Sequence, residues 1–284
     1  MIEVLLRSLR AARGFEPQRY LPMLLGGQSI GWIRRGREDR LCAWPDVFAV
    51  SREQISIGKI PQADLSAAFA DVARTLEREG TIKGWRGETY AVRAEPGGEA
   101  LFHLERAAMR FFGFTSSAAH LNGFCLRNEN PAIWIARRAA TKATDPGMLD
   151  NLVAGGVPSG EEPWQTLLRE CGEEAGISPA LAAQAVPAGT LQISEEAAEG
   201  LHCEVLHLYD LALPAGFMPR NADGEVSEFL SLAPSQMIER IAGGEMTVAA
   251  GLAASDFALR HGMLRDEEGK IGAAVEACRL PTPA

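Results

Sequence analysis

Residues 155–177 read GGVPSGEEPWQTLLRECGEEAGI, and this stretch decides how the rest of the chain is interpreted. A glycine-rich loop comes first. Pro163 follows, and it suits the first turn of a helix because it has no N–H to leave unpaired. Gly176 suits the position just past a helix end. The stretch therefore predicts a loop, then a helix, then a glycine that ends the helix.

The predicted helix has two different faces. One face is an apolar stripe of residues at helical spacing: Trp164, Leu167, Leu168, Cys171 and Ala175. A second face, about a third of a turn away, gathers Glu170, Glu173 and Glu174. Like charges three and four positions apart repel each other, so a helix that keeps them together is expected to hold a cation. Carboxylate oxygens suit Mg²⁺ or Mn²⁺, and the sequence therefore predicts a metal site here.

The whole stretch resembles the Nudix box, G-x5-E-x7-R-E-U-x-E-E-x-G-U, in which U is a bulky apolar residue and x is any residue. Every fixed position is matched, and Cys171 stands at the first U as a small apolar residue. The resemblance implies a diphosphate hydrolase. It also implies the Nudix α/β/α sandwich with a mixed sheet, here preceded by a small α+β domain.

The resemblance assigns metal ligands residue by residue. Glu170 and Glu174 are implied as direct ligands, and Glu173 as a third ligand or as the general base. The backbone carbonyl of Gly155 is implied as a further ligand, because a missing side chain permits close approach. The implied cofactor is Mg²⁺ or Mn²⁺.

Other catalytic candidates carry over from the motif or follow it. Glu161 and Arg169 are expected to have a structural role, and our hypothesis is that an ion pair between them braces the loop against the helix. A further acid often completes such a site from a neighbouring strand or loop. Glu225 and Glu228 are the candidates. Glu225 is favoured because residues 223–226, DGEV, resemble one Nudix subgroup.

Three residues before the box are candidates for binding substrate. Arg137 and Lys142 carry positive charge and are expected to meet phosphate oxygens. His120 is a candidate for facing a ligand. The alternatives are ordinary ones: exposed surface charge for the two cations, and a strand end for His120.

Segments outside the box resemble the same subgroup, most strongly over residues 120–262. They include residues 140–156, ATKATDPGMLDNLVAGG. In that subgroup a Nudix domain follows a poorly characterised N-terminal domain, as in the Nudix-like half of fungal thiamine pyrophosphokinases. The resemblance implies hydrolysis of thiamine diphosphate, or of its oxidised analogues, to the monophosphate. Residues 246–250 depart from the subgroup, whose members tend to carry a Lys-Pro-Asn run there.

Two other functions stay open. An isopentenyl-diphosphate isomerase-like enzyme has the same fold, but it uses a Cys and Glu pair outside a weakened box, whereas this box is intact. A Nudix-fold ligand sensor without turnover often loses the glutamate pair, which this chain keeps. The general base and the moiety attached to the diphosphate are also left open.

Composition limits the partners. With 284 residues of which 46% are apolar, the chain can bury a real core. Its net charge of −9 argues against nonspecific nucleic-acid binding. No apolar run reaches transmembrane length, and the N-terminus indicates an amphipathic helix rather than a signal peptide. Five scattered cysteines without CxxC predict a reducing compartment, the cytoplasm, and no zinc site. The expected partner is a small-molecule diphosphate, with no nucleic acid and no membrane; a homodimer stays open.

The chain predicts two folded parts and a tail. Residues 1–115 are expected to form a small α+β domain with its own core, which is a candidate for closing over the site and supplying specificity contacts. Residues 119–265 are expected to form the Nudix domain. The boundary is predicted in the small polar run TSSAA, residues 115–119. Residues 266–284 are predicted to be a frayed tail.

Two local predictions concern strands and turns. Residues 121–127 and 132–136 are apolar and are broken by residues 128–131, NENP, which predicts a hairpin. Residues 20–22, YLP, are expected to begin a turn.

Overall fold

The computed structural model describes residues 2–127 and 130–281. The helices in these residues are α1 (Ile2–Ala11), α2 (Gln62–Arg78), α3 (Arg106–Phe112), α4 (Pro163–Ala175), α5 (Pro179–Ala182), α6 (Pro234–Ala242), α7 (Val248–Arg260) and α8 (Lys270–Glu276). The strands are β1 (Tyr20–Leu25), β2 (Gln28–Arg34), β3 (Phe48–Val50), β4 (Ile55–Ile57), β5 (Thr89–Arg93), β6 (Ala100–Glu105), β7 (Thr115–Arg127), β8 (Asn130–Arg138), β9 (Leu149–Asn151), β10 (Val153–Gly156), β11 (Val186–Ala197), β12 (Gly200–Ala212) and β13 (Val226–Leu232).

A mixed sheet forms the centre of the C-terminal part. Its strands follow the order β11-β12-β7-β8-β13, while β10 pairs with β7 and β9 pairs with β8. β12 and β7 run parallel, and the other pairs are antiparallel. α4 packs on one face through Leu167 and Cys171, whereas α1, α6, α7 and α8 pack on the other. This arrangement is the predicted α/β/α sandwich with a mixed sheet.

The N-terminal part has a separate aromatic core. A four-stranded sheet, β2-β1-β4-β3, and the β5-β6 hairpin enclose α2 and α3. Phe69 on α2 stacks on Phe102, with ring centroids 4.5 Å apart, and meets Phe112 edge-on at 5.3 Å. Residues 20–22 belong to β1, so the turn predicted there is wrong: Tyr20 and Leu21 are buried, and burial holds the segment in the sheet.

Helix α1 belongs to the C-terminal core, although it comes first in the chain. Leu5, Leu6 and Leu9 are at most 2% exposed and lie among residues of α6, α7 and α8. Val4, by contrast, is 44% exposed. The amphipathic helix was predicted correctly, but its assignment to the N-terminal core was wrong, because periodicity shows which face is apolar and not which partner covers it.

The predicted boundary segment is part of a strand. Residues 115–119 open β7 and pair in register with β12, from Thr115 opposite Cys203 onward. Ala118 and Ala119 are at most 4% exposed. The segment at which the domain boundary is predicted is therefore the beginning of the central strand, since small side chains suit a close-packed strand as well as they suit a loop.

The end of the chain is ordered up to residue 281. α8 buries Ile271 and Val275, and a bridge joins Arg279 to Leu191 on β11. The predicted frayed tail is wrong for this stretch, because the apolar residues of α8 complete the same core as α1. Residues 282–284 lie outside the described part of the chain.

The predicted β7-β8 hairpin pairs from Gly123 opposite Trp134 to Arg127 opposite Asn130. The turn residues 128 and 129 lie outside the described residues. Within the described ranges, no helix combines the length and apolar character needed to cross a membrane.

Candidate functional site

Helix α4, which carries the box, packs one face on the sheet and carries the acids on another face, as predicted. Leu167, Cys171 and Ala175 are completely buried against the sheet. The helix ends at Gly176, whose φ of +64° is a left-handed conformation that glycine adopts without strain. The other face carries the acids, of which Glu173 is exposed, whereas Glu170 and Glu174 are mostly buried.

Three carboxylates converge beside α4. One oxygen each of Glu170, Glu173 and Asp223 lies within 4.8 Å of the others. Glu170 keeps only 14% of its side chain exposed, whereas Glu173 keeps 48%. Burial raises the pKa of Glu170 above its ordinary value, and Arg169 only partly offsets this. Such a set of hard oxygen donors suits a divalent cation such as Mg²⁺.

Asp223 was missed by the sequence reasoning, which named its neighbour Glu225. The loop before β13 folds back onto the end of α4: the Arg220 N–H donates to the carbonyl of Ala175 at 3.0 Å, and the Ala222 N–H to that of Glu173 at 2.9 Å. This return brings Asp223 beside Glu170 and Glu173, and these three acids together are called the metal face. Its position before Gly224 in DGEV was the available signal, but the spacing did not say which acid of that segment turns toward the helix.

Glu174 lies deeper than its neighbours. It is 6% exposed and accepts a hydrogen bond from the Ala154 N–H at 2.9 Å, which ties α4 to β10. Burial, with the nearby charge of Glu170, raises the pKa of Glu174 to about 8. The structure therefore separates the predicted ligands: Glu170 and Glu173 lie together, while Glu174 is bound to the strand.

Gly155 makes room for Glu170. A Cβ on Gly155 would lie 2.4 Å from Cγ of Glu170 and 2.5 Å from its Oε1. Glycine at this box position thus allows the carboxylate to sit against β10. A role for the Gly155 carbonyl as a ligand stays a prediction.

Arg169 joins the acids of the box. Its guanidinium donates to Glu161 at 3.2 and 3.3 Å, to Glu170 at 3.0 Å and to Glu173 at 2.9 Å. Burial favours the neutral form of Glu161, but the hydrogen bonds from Arg169 and Thr166 outweigh burial and lower its pKa. The predicted ion pair between Glu161 and Arg169 is present, and Arg169 also restrains two acids of the metal face.

Replacing Arg169 with Ala is expected to lower both the melting temperature and kcat, the latter on the order of 10- to 100-fold, because small misplacement of reacting groups is costly. Turnover and thermal unfolding are measured on the same preparations. Arg240→Ala is the control, since it removes an exposed ion pair with Glu245 and is expected to change neither. Unchanged kcat in Arg169→Ala contradicts the bracing role.

Glu225 is held by cations rather than joined to the carboxylate cluster. It forms ion pairs with Lys142 and, at 2.7 Å, with Arg86 of the N-terminal part. Burial opposes its charge, but these two partners hold the pKa of Glu225 at about 2. Its proposed role as the further acid of the cluster falls to Asp223. Lys142 is 8% exposed, so it is a buried partner of Glu225 and not the surface charge considered as its alternative.

Of the adjacent arginines on β8, Arg138 and not Arg137 reaches the site. Successive strand residues point to opposite sides. Arg137 donates to Glu228 on β13 at 2.9 Å and to the carbonyl of Gly147. Arg138 forms an ion pair with Asp150 at 2.8 Å and lines the cavity described below. The sequence analysis named Arg137 and did not consider Arg138; the structure pairs Arg137 with Glu228 on β13 and brings Arg138 to the cavity.

His120 is buried in the Nudix part and is 4% exposed. Its Nδ1 is 2.8 Å from the side-chain oxygen of Asn151, and Asn151 donates to Asn122, which donates in turn to Asp210. The ring lines the cavity. His120 is thus at the wall of the cavity and is held by a polar chain, and its role in facing a ligand stays a prediction.

A cavity of about 210 Å³ opens beside the box loop, between the two parts of the chain. One wall comes from β7, β10 and β12, including Gly155 and Gly156. The other wall comes from the N-terminal part, including Arg86, Tyr90 and Arg106. These N-terminal residues were not found by sequence reasoning, because no motif surrounds them and only the tertiary fold brings them to the box.

Comparison with known proteins agrees with the box and with the division of the chain into two parts. A family model described as the NUDIX domain matches residues 121–246, and one described as a domain of unknown function, DUF4743, matches residues 3–116. Nudix hydrolase 20, chloroplastic, of Arabidopsis thaliana is 35% identical over 271 residues, which cover 91% of this chain and 72% of that relative. The chain belongs to the Nudix hydrolase family. Nudix hydrolase 24, chloroplastic, of the same plant is 34% identical over 264 residues, with the same shares covered.

Solved structures give more distant matches. The C. elegans Ap4A hydrolase, in a binary complex, is 18% identical; the match covers 52% of this chain and 99% of that one, with a TM-score of 0.40. Family membership and the intact box make this chain a Nudix diphosphate hydrolase.

Proposed function

We propose that this Nudix hydrolase converts thiamine diphosphate, or an oxidised analogue of it, to the monophosphate in a Mg²⁺-dependent reaction. The convergence of Glu170, Glu173 and Asp223 beside Arg169 is the observation that carries the hydrolytic part. The thiamine part is supported by the subgroup resemblance of residues 140–156 and 223–226.

The donor set fits the proposed cation. Glu170, Glu173 and Asp223 would hold Mg²⁺, since all three offer carboxylate oxygens within reach of one ion. When bound, the ion supplies positive charge that offsets the charge on the diphosphate oxygens. Mn²⁺ has similar ligand preferences and is the alternative.

Side chains of the protein are proposed to have the remaining roles. Glu173 is the most exposed acid that Arg169 contacts, and it is proposed to take the proton of the attacking water, because it is the one exposed acid at a fixed position of the box. Glu161 and Arg169 keep the metal face in place. Glu225, Lys142 and Arg86 close the edge of the site with a network of ion pairs.

The size of the cavity favours a small organic group. Its volume of about 210 Å³ is below the about 300–1,000 Å³ typical of pockets for drug-sized ligands. Only the organic group of the substrate has to fit this space, and the two rings of thiamine need less room than the two nucleosides of a dinucleoside substrate. This favours thiamine diphosphate over a dinucleoside substrate.

The positions and the pKa values of the cysteines argue against the isomerase-like alternative. No cysteine is among the described residues that line the cavity. Burial raises the pKa of Cys171 to about 12 and that of Cys203 to about 11, so both thiols stay protonated near neutral pH. A reactive cysteine needs the opposite shift in its pKa.

A substrate panel tests the proposal. Monophosphate release is measured with Mg²⁺ from thiamine diphosphate, its oxidised analogues, ADP-ribose, NADH and isopentenyl diphosphate. We expect thiamine compounds to have the highest kcat/KM, and we expect EDTA to abolish turnover until Mg²⁺ is restored. Clear turnover of ADP-ribose or NADH without turnover of thiamine compounds would exclude the thiamine substrate.

The same panel separates the sensor from the enzyme. Tight binding of a panel compound without any phosphate or monophosphate release would favour a ligand sensor. Glu174→Gln, run beside the wild type, reports whether any release depends on the box. The cytoplasmic location and the homodimer stay predictions.

A further inference from the structure

The interdomain cavity begins where the diphosphate is expected and extends away from it. Gly155, which packs against Glu170, and Gly156 lie at its near end. The cavity continues along β7 from Ala118, which is opposite Gly156, to Ser116, which is opposite Glu204. Ser116, Glu204 and His202 line this part, which is called the far end. A substrate held by its diphosphate at the box would therefore direct its organic group into this space.

Tyr90 of the N-terminal part closes the near end. The residue is 4% exposed, lines the cavity and has no hydrogen-bond partner for its hydroxyl among the described residues. A buried hydroxyl without a partner is costly, so native structures rarely keep one without a reason. A ligand oxygen beside the box loop would supply the missing acceptor.

The lack of a side chain at Gly156 leaves room for the Tyr90 hydroxyl. A Cβ on Gly156 would lie 1.7 Å from the Tyr90 hydroxyl. Gly156 occupies a position of the box at which any residue is allowed, so the box motif does not explain its lack of a side chain. The approach of Tyr90 does, and the N-terminal part is therefore fitted to the box loop itself.

The far end carries a buried acid. Glu204 accepts a hydrogen bond from the Ser116 hydroxyl at 2.9 Å and lies 3.4 Å from Nε2 of His202. Burial opposes its charge, but His202 holds the pKa of Glu204 at about 2. Glu195 and Glu199 line the same end, together with Arg110, which lies 3.2 Å from Nδ1 of His202. Because three carboxylates face one arginine and one histidine there, a group that is cationic or rich in N–H donors is favoured over a neutral apolar group.

We propose that the N-terminal domain completes the substrate site: the Tyr90 hydroxyl donates a hydrogen bond to the diphosphate, and the cavity beyond it selects, through Glu204, an organic group that is cationic or rich in N–H donors. This inference rests on the proposed function and names how that site chooses its substrate. The thiazolium and aminopyrimidine rings of thiamine have the required charge and donors.

Tyr90→Phe tests the near end. Removing an unpaired hydroxyl leaves the melting temperature unchanged or raises it, whereas losing its bond to a charged ligand lowers kcat/KM for thiamine diphosphate on the order of 10-fold or more. Calorimetric binding of thiamine diphosphate without metal is a second readout, and its Kd is expected to rise similarly. The loss is expected in KM more than in kcat if the bond forms equally in ground and transition states.

Tyr20→Phe is the matched control. The Tyr20 hydroxyl is equally buried but donates to the carbonyl of Gly200 at 3.3 Å and lies outside the cavity lining. Its loss is expected to lower the melting temperature and leave kcat/KM unchanged, which is the reverse of Tyr90→Phe. Wild-type kcat/KM and Kd in Tyr90→Phe would overturn the proposal, as would an equal loss in both variants.

Glu204→Gln tests the far end with two diphosphates. Thiamine diphosphate is compared with isopentenyl diphosphate, whose organic group is neutral and apolar. The variant is expected to raise Kd and KM on the order of 10-fold for the first compound only. Equal changes for both compounds, or wild-type binding tighter for isopentenyl diphosphate, would overturn the selection. A wild type that binds thiamine diphosphate through Tyr90 and Glu204 but releases no monophosphate would instead refute the proposed function alone.

Discussion

Glu170→Gln is expected to lower kcat/KM about 1,000-fold while leaving the folded structure intact. Glutamine keeps the shape of the side chain and removes one carboxylate from the cluster formed with Glu173 and Asp223. Positive charge at a reacting diphosphate is worth several kcal/mol in the transition state, and each about 1.4 kcal/mol lost is a tenfold loss of rate. Steady-state kinetics with Mg²⁺ measures the effect.

The melting temperature of Glu170→Gln, unlike its activity, is not expected to fall. Glu170 is mostly buried and close to two other acids, so its charge is unfavourable in the folded chain without a cation. The variant is expected to melt at the same temperature as the wild type or higher when EDTA is present. Glu239→Gln is the control, because Glu239 is exposed on α6 and should affect neither quantity. Lower activity with a lower melting temperature would indicate misfolding rather than loss of a ligand.

The sequence was most informative where the site is local. Residues 155–177 form one loop and one helix, so spacing alone predicted the buried stripe and the grouping of Glu170 with Glu173. The Glu161 to Arg169 contact is also within this stretch. The spacing did not show that Glu174 turns toward β10, because that contact is made with a strand outside the helix.

Predictions failed where distant segments meet. The candidates for the further acid were Glu225 and Glu228, and Asp223 was missed because its position depends on how the loop before β13 returns to α4. Arg138 was missed because the face to which it points depends on the register of β8 against β13, and a shift of one residue exchanges the two faces. Tyr90 could not be inferred at all, since its function comes from its contact with Gly156.

The same limit applies to the core. α1 and α8 lie at opposite ends of the chain and meet in one apolar cluster. Their amphipathic patterns predict a buried face for each, but sequence alone gives no partner. The structure packs α1 in the Nudix core, and truncation of a buried residue on α1 tests this assignment.

Leu6→Ala is expected to lower the free energy of unfolding of the Nudix part by about 2–5 kcal/mol, the range for a large-to-small change in a close-packed core. Leu6 is 1% exposed and packs with residues of α6, α7 and α8. Urea unfolding measures the loss. Hydrogen exchange followed by mass spectrometry locates it, and exchange should rise in α7 and α8 while α2 stays protected.

Val4→Ala is the matched control on the same helix. Val4 is 44% exposed, so its truncation should change the free energy of unfolding by no more than about 0.5 kcal/mol. If Leu6→Ala instead raised exchange in α2 and left α7 and α8 protected, α1 would belong to the N-terminal domain after all. The expected pattern would mean that removing residues 1–115 unfolds the Nudix part, because the deletion takes a helix out of its core as well as the wall that carries Tyr90.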